Sequence, residues 1–270
     1  MLLKPFGKIC VAAVLGLMAS APLSAADYSG VEIKTVKLAP NVYALLGAGG
    51  NMGLSVGEDG AFLIDDQFAP LSDKIKAAIA KVSDTPVNFL VNTHWHSDHT
   101  SGNESFANSG AIIVAHENVR ARLKSGGDIK AFNVVVEPQP KAALPVVTFT
   151  EGLTFHWNGQ TIEVMHVPHA HTDGDAMIYF KEANVLHMGD VLFNGYYPFI
   201  DVDNGGSLKG TIDAAKLGLD IANEQTAIIS GHGPLANRAQ VVAYHKMLST
   251  IYARLSFMRA DGMTDDMIAA

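Results

Sequence analysis

Apolar residues along 27–270 fall into short runs and alternations, with glycine as the commonest punctuation. Residues 31–38, 41–46, 52–56 and 61–64 read as strands, and Gly47, Gly49, Gly50, Gly57 and Gly60 mark their turns. Leu71, Ile75, Ala78, Ile79 and Val82 recur at helical spacing, which predicts an amphipathic helix over 71–83. Residues 87–91 are a short buried strand. A strand at 111–115 and a helix over about 117–124 follow. Residues 125–145, with Gly126-Gly127 and three prolines, read as an irregular surface loop or lid. A second strand-rich block occupies 146–149, 153–157, 161–167, 176–180 and 184–188. Helices over about 208–222 and 237–256 flank a strand at 226–230, and Thr264-Asp265-Asp266 resembles one more helix start. Strands and helices thus occur twice in the same broad order. That pattern implies an α/β chain of two similar halves, each a sheet with helices on its outer face.

The first 26 residues stand apart from this pattern. Lys4 and Lys8 precede an apolar stretch at 9–18, and Ser24-Ala25-Ala26 supplies small residues for cleavage. The expectation is a signal peptide over 1–26 and a mature domain over 27–270, periplasmic or secreted, without a stable membrane anchor because the apolar stretch is too short to span. Cys10 is the chain's one cysteine and falls inside this segment, so the mature part has neither disulfides nor Cys-ligated zinc. Loss of Lys4 and Lys8 leaves 17 basic residues against 27 acidic, a net charge of −10 with His neutral. With no run of Lys or Arg, nucleic acid is excluded as a partner and a small-molecule substrate is expected. Oligomeric state is not legible.

The candidate chemistry begins where strand 87–91 ends, the edge at which α/β sheets collect ligand sites. Thr93-His94-Trp95-His96-Ser97-Asp98-His99-Thr100 packs His94, His96, Asp98 and His99 into six positions. In extended chain, residues i and i+2 point the same way, so His94, His96 and Asp98 share a side and a turn brings His99 beside them. Trp95 points the other way and packs the loop. Imidazole and carboxylate suit zinc and similar divalent metals. Three later segments, each after a strand, add ligands: His171 in Val167-Pro168-His169-Ala170-His171-Thr172, Asp190 after Met188-Gly189, and His232 between Gly231 and Gly233. His169 either shares His171's side or stands behind the ligands. Tyr196 or Tyr197, in Asn194-Gly195-Tyr196-Tyr197-Pro198-Phe199, can donate a hydrogen bond to a developing oxyanion or simply pack the loop. His156, His166 and His187 read as structural strand residues, and His116 and His245 as exposed helix residues.

H-x-H-x-D-H followed by His, Asp and His resembles the metallo-β-lactamase fold superfamily over nearly the whole mature chain. The resemblance implies a four-layer αββα sandwich with a two-metal cleft along one edge. It implies His94, His96 and His171 as a three-His site, Asp98, His99 and His232 as the second site, and Asp190 as the bridging residue. Asp65 matches an aspartate that holds the His-rich loop from behind. Two zinc ions are the expected cofactors, with manganese and iron as alternatives. The chemistry implied is a metal-bridging hydroxide attacking a small carbonyl substrate, a lactam, lactone, ester or thioester, with Asp98 orienting the nucleophile. True β-lactamases of the superfamily carry Cys or Ser where this chain has Asp190. Those with Cys usually place Lys where this chain has Phe193, and many have a long apolar flap where 44–53 is short. Weak β-lactamase activity is therefore the expectation. An efficient periplasmic metallo-β-lactamase and a non-catalytic periplasmic zinc-binding accessory protein are the competing readings.

Overall fold

The computed structural model describes residues 27–269. The expected signal segment lies outside them. Strands β1 (Lys34–Ala39), β2 (Val42–Leu46), β3 (Met52–Ser55) and β4 (Ala61–Ile64) form an antiparallel meander. After helix α1 (Ser72–Ile79), strand β5 (Val87–Val91) adds in parallel to β4. Two short helices, α2 (Ser97–Thr100) and α3 (Asn103–Ala107), lead to β6 (Ile112–His116) and helix α4 (Glu117–Ser125). A hairpin of β7 (Gly127–Ile129) and β8 (Val134–Val136) stands by itself, and β9 (Val147–Phe149) completes the first sheet in the order β1-β2-β3-β4-β5-β6-β9. The second sheet has the order β10-β11-β12-β13-β14, from β10 (Gly152–Trp157), β11 (Gln160–His166), β12 (Ala176–Phe180), β13 (Val185–His187) and β14 (Ala227–Ile229). Helices α5 (Leu208–Ile221), α6 (Arg238–Ala260) and α7 (Asp265–Ala269) fill the rest.

Strand alternation builds the layers. Phe62 and Ile64 of β4 pack inward with Ile178 and Phe180 of β12, forming the core between the sheets. Ala61 and Leu63, on the other face of β4, pack against Leu71, Ile75 and Ile79 at α1 and Phe106 of α3. Met177 of β12 faces Ile212 and Ala215 of α5 and Val241 and Leu248 of α6. The fold is therefore the αββα sandwich, with both faces of each central strand covered, which is why β4 and β12 read as continuous apolar runs. No described helix is long and apolar enough to cross a membrane.

Two expectations need correction. The 125–145 segment is not structureless: Ile129 and Val136 of its hairpin pack with Trp95, Val119 and Leu123 in a small separate core. His116 is not an exposed helix residue. It is buried at the end of β6, caps α4 by accepting from the Asn118 amide, and stacks on His166 with ring centroids 3.9 Å apart.

Candidate metal centre

Every candidate ligand follows the end of a strand at one edge of the sandwich. Beyond β5 the chain stays extended only to His96, whose φ and ψ are −65° and 149°. It then turns into α2, which carries Asp98 and His99 away from His94 and His96. Two groups result in place of one shared face: His94, His96, His171 and Asp190, and Asp98, His99 and His232. Within each group one ligand atom per residue lies within 4.8 Å of the others. Trp95 points the other way and is buried in the hairpin core.

Each histidine of the first three segments has one ring nitrogen held from behind, which leaves the other for the cluster. His94 Nδ1 meets Thr93 Oγ1 at 3.0 Å, and its Nε2 is buried without a partner. His96 Nε2 donates to Asp201 Oδ2 at 2.9 Å, so Nδ1 faces His171 Nε2, also at 2.9 Å. His171 Nδ1 donates to the Phe199 carbonyl at 2.8 Å. His99 Nδ1 donates to Asp65 Oδ2 at 2.8 Å, and Asp65 also accepts from the amide and hydroxyl of Thr93. Partners of this kind fix the tautomer and the ring orientation of a metal-binding imidazole. These contacts put Asp65 behind the His-rich loop.

Asp190 joins the two groups. Its Oδ2 lies 3.8 Å from His94 Nε2, 3.5 Å from His171 Nε2 and 3.3 Å from His232 Nε2. Its Oδ1 is 3.1 Å from His99 Nε2. Asp98 Oδ2 reaches His232 Nε2 at 3.2 Å and His99 Nε2 at 3.6 Å. Glycines make room for this convergence. A Cβ on Gly231 would stand 2.0 Å from Asp190 Oδ1, and one on Gly50 would stand 2.1 Å from the His99 ring.

The donor set fits divalent cations. Burial, with the neighbouring histidines, holds His94 well below the usual imidazole range, and burial pushes His171 down to about 4. These are neutral rings with free nitrogens, as a metal requires. In the second group burial also opposes charge, but Asp190, Asp98 and Asp65 hold His99 well above its usual range. Asp190 and Asp98 likewise raise His232 to about 9 against its burial. Carboxylates that draw protons onto two imidazoles, one buried and one at the cleft, mark a place where positive charge belongs, and a divalent cation supplies it. The partnerless buried atom His94 Nε2 belongs to the same cluster.

Two expected site residues are not brought here. His169 is exposed, with φ +51°, and its Nδ1 donates to the Gly205 carbonyl at 3.0 Å, so it neither ligates nor supports a ligand side chain. Tyr196 is 62% exposed and lines a groove with Gln240, Tyr244 and Met247 of α6 instead of the cleft. Asp201 was not anticipated. It sits in an irregular segment, 105 residues from the His96 that it holds, and no local pattern signals it.

The cleft over the two groups encloses about 340 Å³. Its floor is His96, Asp98, Asp190 and His232, and its walls include Phe68, Phe132, Phe193 and Phe199.

Comparison with known proteins agrees with this geometry. The family described as "Metallo-beta-lactamase superfamily" matches residues 46–233. The chain is 28% identical over 185 residues to "Probable metallo-hydrolase YqgX" of Bacillus subtilis (strain 168), covering 64% of this chain and 83% of that protein. It is 27% identical over 176 residues to "Hydroxyacylglutathione hydrolase" of Polaromonas sp. (strain JS666 / ATCC BAA-500), covering 62% of this chain and 57% of that one. In fold it is similar to the metallo-beta-lactamase from Pontibacter korlensis, with a TM-score of 0.67 and 20% identity, covering 81% of this chain and 99% of the other. With the family match spanning most of its length and a His/Asp cluster able to hold metal at the expected sheet edge, the chain belongs to the metallo-beta-lactamase superfamily and is a hydrolase of that family.

Proposed function

We propose that residues 27–270 are a dizinc hydrolase of small carbonyl substrates, a lactam, lactone, ester or thioester, with weak β-lactamase activity, acting outside the cytoplasm once residues 1–26 are removed. The observation that carries this reading is the Asp190 carboxylate, which faces both ligand groups. His94, His96 and His171 would hold one cation and Asp98, His99 and His232 the other, with Asp190 facing both groups. When bound, such a pair supplies Lewis acidity and a water nucleophile that ionises near neutral pH.

The chain's own residues do the rest. Asp201, Asp65 and the Phe199 carbonyl keep the ligand rings in a single orientation, so little reorganisation accompanies turnover. Asp98, with 23% of its side chain exposed, lines the cleft and accepts a hydrogen bond that orients a water toward the substrate carbonyl. His232, 28% exposed, lies beside it. Cluster residues that open on a cleft favour an enzyme over an accessory metal-binding protein.

The test is the metal content of the protein, together with hydrolysis of a chromogenic β-lactam, lactones, thioesters and phosphodiesters, with and without chelator. About two zincs per chain and chelator-sensitive cleavage of a carbonyl substrate are expected. Metal without turnover of any of them would refute the proposed substrate classes, and a chain that binds no metal would refute the site.

A further inference from the structure

The two sides of the cleft differ in chemistry. The floor is ionic, whereas the walls are Phe68, Ile129, Phe132, Val134, Phe193 and Phe199. No described Lys or Arg lines it. The nearby cations are committed elsewhere. Arg122 forms a fork on Asp173, at 2.9 and 2.6 Å, and also donates to Asn204 at 2.6 Å. Lys130, at the hairpin tip, pairs with Asp203 at 2.8 Å. Even the hairpin side chains that reach the mouth are apolar: Phe132 is 60% exposed and Val134 41%. Phe132 leans on Phe199, with ring centroids 4.5 Å apart, and Phe199 flanks the His96 ring at 6.0 Å. Phe193 stacks on His232 at 5.1 Å and 24°. An unbroken aromatic and aliphatic wall thus runs from the solvent-exposed hairpin to the ligand rings.

The geometry points to a substrate class: neutral carbonyl compounds whose remote group is an alkyl chain or an aryl ring, selected by the β7–β8 hairpin and the phenylalanine wall against analogues that carry a carboxylate. The inference rests on the hydrolase reading for its reacting bond, but the selection itself is a property of the walls. Apolar burial favours the neutral group by up to about 4-fold for each methylene covered. A carboxylate in the same place loses hydration and finds no Lys or Arg among the described lining residues to replace it, Ser97 being the one hydroxyl there and neutral. Phe132 and Val134 act here as specificity residues, remote from the reacting atoms.

The test uses a matched pair of γ-lactones, one with a heptyl side chain and one with the same chain ending in carboxylate. The zinc-loaded full chain is expected to prefer the heptyl lactone by at least about 30-fold in kcat/KM. The double variant Phe132→Lys/Val134→Lys, altered only at exposed hairpin positions, is expected to cut that preference below about 5-fold. Calorimetric binding of the two corresponding cyclopentanones, which cannot be hydrolysed, separates this inference from the reading beneath it. Selective binding of the heptyl ketone without turnover of either lactone would remove lactones from the hydrolase reading and uphold the selection. Equal or stronger binding or turnover of the carboxylate compound would overturn it, as would an absence of both binding and turnover.

Discussion

Asp201→Ala isolates what a carboxylate behind a ligand contributes. Asp201 Oδ2 accepts from His96 Nε2 at 2.9 Å, and the two side chains are 3% and 7% exposed. The His96 interaction holds the Asp201 carboxyl below its usual range, although burial works the other way. Without that acceptor, the His96 ring is no longer held with its donor at Nε2 and can turn an N–H at Nδ1 toward His171 Nε2, which lies 2.9 Å away. A buried hydrogen bond to a charged group is worth about 1.5–3 kcal/mol. Loss of a partner behind a metal ligand typically costs 10- to 100-fold in affinity, roughly 1.4–2.8 kcal/mol. The two estimates agree, so Asp201→Ala is expected to weaken zinc binding by about 10- to 100-fold. Asp201→Asn keeps an accepting oxygen and should lose less than about 10-fold. The assay is equilibrium competition for zinc against a chromogenic chelator, with denaturant unfolding of the zinc-free protein to separate affinity from folding. An Asp201→Ala protein that binds both zincs within about 2-fold of the parent would refute this account of the tautomer.

His96→Ala and Asp98→Ala should each abolish turnover and lower zinc content while the circular dichroism spectrum is kept; full activity in either would end the assignment. Gly231→Ala sets a methyl 2.0 Å from Asp190 Oδ1, and activity should fall by at least about 100-fold, with a lower melting temperature; a parent-like rate would show that the backbone yields. Chelated protein should be most stable near pH ~6.5. Because His99 and His232 are raised, their contribution is present below that value and is lost as pH climbs, for His232 toward about 9. Because His94 and His171 are lowered, theirs is present above it and is lost as pH falls, for His171 toward about 4. A thermal melting series from pH 4 to 9.5 checks this, and a flat profile would contradict it.

Much of the fold is legible because its central strands are covered on both faces. Strands 61–64, 87–91 and 176–180 coincide with β4, β5 and β12 residue for residue, since each is an apolar run closed by a turn or a polar residue. The ligand set is legible for a different reason: metal-binding side chains must follow strand ends, and each of these does. Contacts made at long range leave no such mark. Asp201 touches His96 across 105 positions, and its neighbours show no periodicity. The β7–β8 hairpin reads as an irregular loop in the sequence because its two strands have three residues each, and Gly126, Gly127 and Pro138 lie at or beside their ends. His116 was misplaced because a strand end and a helix cap coincide at one residue. Tyr196 was placed at the cleft from its nearness to Asp190 in sequence, but Gly195, at φ +87°, turns the chain just before it.

The hairpin has one more consequence. Its strands pair only with each other, and its inward residues belong to a small core separate from the one between the sheets. Those inward residues rest on Trp95, between the ligands His94 and His96, whereas positions 130–135 are all exposed, so the wall can vary there without disturbing the scaffold that holds the ligands. Changes at positions 130–135 can explore new substrates while the chemistry beneath stays intact, a division of labour that lets one hydrolytic centre diversify by small steps without passing through inactive ancestors.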